Sequence, residues 1–308
     1  MCRCLLDLLW AALGASSVAG IGCNDGRPPI GATAPARTPA SASSRSAPVL
    51  ASAAPSALSD PAIVPSSGAE AADAGPKLAV LGAEAPLISL PVDGYGSAVV
   101  SLPLGASGPR PVLVATHGNY DRPEWQCQEW RQVVENRAFV LCPRGYARSD
   151  SPGPDDVRFT YANNQALGSE LDAALAALQA RFGAHVDRGP LVYTGFSLGA
   201  TMGVAIATRA PARQPVLVLV EGGSEWTWGR AKAFAAGGGR RVLFACSQKG
   251  CTVAARQAAS KLEAVKVGTR IVEKGGLGHS YGGPLNDPIR EALPWLLEGD
   301  ERWLTSAR

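Results

Sequence analysis

Two serines sit between glycines in the spacing Gly-x-Ser-x-Gly: Ser197 in Gly195-Phe196-Ser197-Leu198-Gly199, and Ser280 in Gly278-His279-Ser280-Tyr281-Gly282. A serine hydroxyl attacks a carbonyl carbon well only when a neighbouring base takes its proton, and imidazole titrates in the right range to do so. The chain has 3 histidines. His185 stands beside Gly183 and Asp187 after a helical stretch, a surface setting. His117 closes an apolar run as His117-Gly118-Asn119. His279 lies in a glycine-rich loop behind the last apolar run, so Ser197 and His279 form the nucleophile and base expected from the sequence.

The flanking elements separate the two serines. An exposed nucleophile needs a strand, a tight turn and then a helix, with small residues letting strand and helix approach. Leu191-Val192-Tyr193-Thr194 leads straight into Gly195, and a helical stretch leaves Gly199. Around Ser280, Gly275-Gly276 ends the strand early and Gly283-Pro284 delays the helix. Strand-like runs are expected at 87–92, 98–102, 112–116, 138–142, 191–194, 216–220, 242–246 and 269–272. Helical periodicity marks 163–182, 198–209, 252–265 and 285–297. The first two strands, joined by Asp93-Gly94-Tyr95-Gly96, read as an antiparallel hairpin. The later alternation reads as an α/β architecture: an eight-stranded, mostly parallel sheet with helices on both faces.

This strand spacing, His117-Gly118, the Gly195 to Gly199 turn and the late Gly278-His279 together resemble the α/β-hydrolase family, over essentially the whole region from about 87 to 298. The resemblance implies the chain order Ser, acid, His, which also sets Ser280 aside. It implies an oxyanion hole from the backbone N–H groups of Leu198 and Asn119, with His117 shaping the loop through hydrogen bonds of its ring. The third member of the set, commonly an Asp after the strand 242–246, is missing: that loop reads Cys246-Ser247-Gln248-Lys249-Gly250-Cys251. Glu221, directly behind the strand 216–220, is the favoured replacement. Glu225, Glu273 and a Ser-His pair without an acid are the alternatives.

Composition bounds the rest. Of 308 residues, 29 are basic and 26 acidic, a net charge of +3 without a basic cluster, which argues against nucleic acid as a partner. No aromatic residue occurs between Trp10 and Tyr95. Residues 1–23 read as an export signal whose Ala19, Gly20 and Gly22 before Cys23 resemble a lipoprotein cleavage site. Cutting after Ala19, with soluble secretion, is the alternative. Residues 24–76 contain 15 Ala, 9 Pro and 9 Ser, the composition of a disordered tether. The remaining residues, 77–308, form the expected single catalytic domain. Its cysteines, Cys127, Cys142, Cys246 and Cys251, suit two disulfides outside the cytoplasm, most simply 127 to 142 and 246 to 251, although three pairings are open. Neither spacing suits zinc, so no metal and no cofactor is expected.

Only about 20 residues separate Val220 from Arg241, too few for a large lid, so the cleft should be open to a bulky or polymeric acyl substrate. Trp226 and Trp228 either form an aromatic platform there or pack the next helix, and residues 120–130 are a second candidate rim. The expected activity is carboxylic ester hydrolysis through an acyl-enzyme on Ser197. An α/β-hydrolase-fold peptidase and a non-catalytic surface binding protein are the alternatives. Any membrane association would run through a lipid at Cys23.

Overall fold

The apolar runs assemble around one sheet in a computed structural model that describes residues 78–83 and 85–304. The chain divides after Gly68, and the described residues all belong to the second unit. Residues 1–76, where the export signal, the lipid-bearing Cys23 and the tether are expected, therefore lie outside them.

The sheet strands are β1 (Leu87–Leu90), β2 (Ala98–Ser101), β3 (Val112–Thr116), β4 (Phe139–Cys142), β7 (Val192–Phe196), β8 (Val216–Val220), β9 (Arg241–Cys246) and β10 (Gly268–Glu273). A separate two-stranded ribbon pairs β5 (Tyr146–Ala147) with β6 (Phe159–Thr160). The main sheet runs β1-β2-β4-β3-β7-β8-β9-β10. The pairs β1 with β2 and β2 with β4 are antiparallel, and all other neighbours are parallel.

The central strands read as unbroken apolar runs, such as Val-Leu-Val-Leu-Val in β8, because both faces of the sheet are covered. Alternate residues divide between the faces, as period 2 requires. Val112 and Val114 join one core with Leu171, Val204, Phe234 and Leu262. Leu113 and Ala115 join another with Trp130, Val133, Ile289 and Leu293. The first face is thus covered by α2 (Asn164–Phe182), α3 (Leu198–Arg209), α4 (Trp228–Ala236) and α5 (Lys249–Glu263). The second is covered by α1 (Pro123–Val134) and α6 (Asn286–Leu296). Burying one such Leu or Val side chain contributes about 1.5–3 kcal/mol.

The eight expected sheet strands are present, with ends shifted by a few residues. Strand β7 runs on through Phe196 to the very edge of Ser197, and α5 begins at Lys249 rather than 252. Helix α1 was not expected. Its buried Cys127, Trp130, Val133 and Val134 keep helical spacing, but polar residues fill the rest, and only Pro123 at the first turn signals a start. No helix among the described residues is long and apolar enough to cross a membrane.

Candidate functional site

Strand β7 delivers Ser197 into a turn so tight that its backbone takes φ 50° and ψ −111°. A non-glycine residue held there costs of order 1–3 kcal/mol, which the surrounding contacts must hold in place. The two flanking glycines make the turn feasible. A Cβ on Gly195 would lie 2.6 Å from the Ala200 nitrogen, and one on Gly199 would lie 2.7 Å from the Thr116 carbonyl oxygen. The Ser197 N–H donates to the Val220 carbonyl at 2.9 Å, anchoring the turn to the end of β8. Leu198 is the first residue of α3, where an N–H has no intrahelical acceptor.

The end of β8 supplies the next group. Glu221 follows Val220 with φ 50° and is buried. Its Oε1 accepts from the Ser247 hydroxyl at 3.0 Å, from the Gln248 N–H at 3.0 Å and from the Ser247 N–H. Those donors fix the carboxylate plane and leave Oε2 facing the Nδ1 of His279 at 3.3 Å. The other ring nitrogen of His279, Nε2, lies 2.8 Å from Ser197 Oγ. Three side chains from three strand ends thus form one continuous line, Glu221, His279, Ser197. The loop behind β9, where an Asp would be usual, instead carries the donors that grip Glu221. The other two carboxylates are engaged elsewhere: Glu225 with the Thr201 hydroxyl at 3.2 Å, and Glu273 with Arg256 at 3.0 Å.

Two residues not singled out from the sequence hold the loops together. Buried Asp121 accepts at Oδ2 from the Gly118 N–H at 3.1 Å, and at Oδ1 from the Tyr281 hydroxyl at 2.8 Å and the Arg122 N–H at 2.7 Å. Burial and the adjacent Asp121 carboxylate push the Tyr281 phenol far above its ordinary value, so it stays a donor. Phe196 packs against both His279 and Tyr281, with ring centroids 5.0 and 4.5 Å away. His117 is buried, its Nδ1 2.8 Å from the Gly118 carbonyl and its Nε2 2.9 Å from that of Arg144. Burial lowers its pKa despite those two acceptors. A Cβ on Gly118 would lie 3.3 Å from the Ser197 Cβ, which puts the loop carrying Asn119 against the Ser197 turn. Asn119 itself is exposed, its side-chain oxygen accepting from Arg148 at 2.8 Å.

No protein-family model matches the chain, and no curated protein matches it by sequence. Solved structures do. TT1662 from Thermus thermophilus superposes with a TM-score of 0.50 at 16% identity, covering 69% of this chain and 98% of that one. Esterase PE8 gives 0.49 at 17% identity, covering 69% and 100%. An S-formylglutathione hydrolase from Agrobacterium tumefaciens gives 0.49 at 17%, covering 66% and 89%. Numbered along the main sheet alone, the strand order is 1-2-4-3-5-6-7-8 with the second strand antiparallel. This is the α/β-hydrolase fold.

On this α/β-hydrolase fold the candidate site is open: the His279 side chain is 48% exposed. A cavity of about 210 Å³ beside it is bordered by Gly222, Ser224, Gln248 and Cys251. Of the two readings of the Trp226 and Trp228 pair, Trp226 follows the packing one. Trp226 is buried with its ring edge against Phe234, 5.3 Å between centroids, so it packs the core under α4, while Trp228 at the start of α4 is exposed. In the 120–130 rim, Tyr120 and Trp125 are exposed, whereas Trp130 belongs to the core. Both simple disulfide pairings are present, Cys127 to Cys142 and Cys246 to Cys251. The second places two sulfurs near Glu221, but sulfurs bonded to each other leave one carboxylate, which is no metal-binding set.

Proposed function

We propose that this chain is a serine hydrolase that cleaves carboxylic esters through an acyl-enzyme on Ser197. The observation that carries the proposal is the 2.8 Å contact of His279 Nε2 with Ser197 Oγ, made while Nδ1 faces the buried Glu221 at 3.3 Å. With the Nδ1 proton pointed at the carboxylate, Nε2 presents its lone pair to the hydroxyl. Ser197 Oγ attacks the ester carbonyl carbon and its proton passes to Nε2. The N–H groups of Leu198 and Asn119 take the developing oxyanion, each lowering the barrier by about 3 kcal/mol. Collapse of the intermediate breaks the bond to the alcohol, which leaves with the proton from His279. Water, deprotonated by the same nitrogen, then releases the acid and restores Ser197.

The exposed imidazole and the absence of a large insertion between β8 and β9 favour bulky or surface-bound acyl substrates. The two disulfides, with the signal-like residues 1–23, support a site of action outside the cytoplasm, with Cys23 as the point of lipid attachment. Steady-state assays with p-nitrophenyl acetate and butyrate, beside the matching p-nitroanilides, test the reading. Ester turnover that Ser197→Ala abolishes supports it. Faster anilide than ester cleavage would make the protein a peptidase, and no turnover of either would leave a binding protein.

A further inference from the structure

A second cavity, of about 420 Å³, opens between the 93–96 turn, the ribbon strand β5 and the first half of α2. It includes none of Ser197, Glu221, His279 or Asn119 in its lining. Three tyrosines border it: Tyr95 and Tyr146, both exposed, and the buried Tyr161. The fourth notable lining group is Glu170, only 4% exposed. Its Oε1 accepts from the N–H groups of Arg144 and Gly145, each at 2.9 Å, and its Oε2 makes no hydrogen bond among the described residues. The Arg144 guanidinium, whose charge acts on Glu170, makes its hydrogen bonds to Glu124 at 2.8 Å and to the Ser97 carbonyl at 2.6 Å.

A carboxylate lining a tyrosine-bordered cavity, with one oxygen that accepts no hydrogen bond from the described residues, is the environment that an alkylated ammonium group fills well. The aromatic faces attract the cation while its methyl groups cover apolar surface, and the carboxylate balances its charge. We infer that this cavity binds a small organic ammonium cation, at a site separate from Ser197. Burial raises the pKa of the Glu170 carboxyl more than the two backbone N–H groups and the Arg144 charge lower it, and an entering cation would add to that compensation. The wall between the two sites is specific. The Tyr161 ring stacks on His117 at 4.3 Å between centroids, its hydroxyl accepts from the His117 N–H at 3.2 Å, and it donates to the Pro143 carbonyl at 3.1 Å. His117 is in turn the residue before Gly118, which packs on the Ser197 turn. The ligand therefore lies one aromatic pair away from the candidate reaction centre without entering it.

Calorimetric titration of the full chain with choline chloride, and separately with its uncharged carbon analogue 3,3-dimethylbutan-1-ol, tests the inference. Choline is expected to bind saturably, and the analogue about tenfold more weakly or not at all. Tyr146→Ala should weaken choline binding about tenfold, and so should Glu170→Gln, whose amide oxygen can still accept from the Arg144 and Gly145 N–H groups. Should Glu170→Gln lose its fold by circular dichroism, the exposed Tyr95→Ala and Tyr146→Ala carry the test alone. Equal binding of choline and its analogue, no saturable choline binding, or wild-type affinity in the folded variants would overturn it.

Discussion

Tyr281 donates a 2.8 Å hydrogen bond to the buried carboxylate of Asp121 across 160 positions of sequence. The same carboxylate accepts from the Gly118 N–H, so one side chain joins the loop that carries Asn119 to the loop that carries His279. Neither residue faces the substrate in the proposed mechanism; both set where the two loops sit relative to Ser197. A hydrogen bond to a charged group contributes about 1.5–3 kcal/mol. Tyr281→Phe is therefore expected to lower unfolding stability in urea by about that amount. It should lower kcat while leaving KM near its wild-type value. Wild-type kcat in a folded variant would show that the loops hold their places without this bond.

The carboxylate that faces His279 can be separated from its alternatives by activity. Glu221→Gln offers Nδ1 an amide that can turn its NH2 toward the ring and favour the wrong tautomer, and comparable changes cost about 10⁴ in kcat. Glu225→Gln and Glu273→Gln, whose carboxylates bond to Thr201 and Arg256, should retain wild-type kcat on a p-nitrophenyl ester. A Glu221→Gln enzyme with undiminished kcat would reassign the acid.

Much of this arrangement is legible along the chain, and the reasons are local. Gly195, Ser197 and Gly199 are close in sequence because a strand-turn-helix needs them so, and with 3 histidines the choice of His279 is short. Glu221 is readable because it directly ends an apolar run. Asp121 and Tyr281 are not readable, since their partnership exists only once β3 and the loop after β10 have been brought to the same edge of the sheet. The same holds for Ser247: the sequence displays the missing Asp behind β9, while the backbone N–H of Ser247 reaching back to Glu221 is a tertiary fact. Trp226 leaves platform and packing open for a similar reason, because its place in the segment after Glu221 says nothing of which way its ring turns; the ring packs on Phe234.

His117 gives the fold a pH dependence of defined sign. Burial holds its folded-state pKa below the ordinary histidine value, so the unfolded chain binds the proton more readily. The neutral ring's contribution is present above about pH 6.5 and is lost as pH falls through the folded-state pKa. Urea midpoints measured downward from neutral pH should fall, and His117→Gln should flatten that part of the curve. An unchanged slope in the variant would trace the acid sensitivity to another group.

The two disulfides should fail differently. The Cys127–Cys142 bridge closes 15 residues between α1 and β4, and replacing both cysteines by Ser should cost about 3 kcal/mol of stability. The Cys246–Cys251 bridge closes only 5 residues, for about 2 kcal/mol, but Ser247 and Gln248 lie within it. Its loss should loosen the donors on Glu221 and reduce kcat at temperatures where the protein stays folded. Chemical denaturation and ester kinetics on the two double variants separate these effects; equal kinetic loss from both would contradict the assignment.

The central claim is that Ser197 is made nucleophilic by His279. Treating the native full-length protein with a fluorophosphonate and mapping the adduct by peptide mass spectrometry tests it directly. The account predicts a single adduct on Ser197 that is absent after heat denaturation and strongly slowed in His279→Ala. No adduct, or an adduct on Ser280 or any other residue, would contradict it.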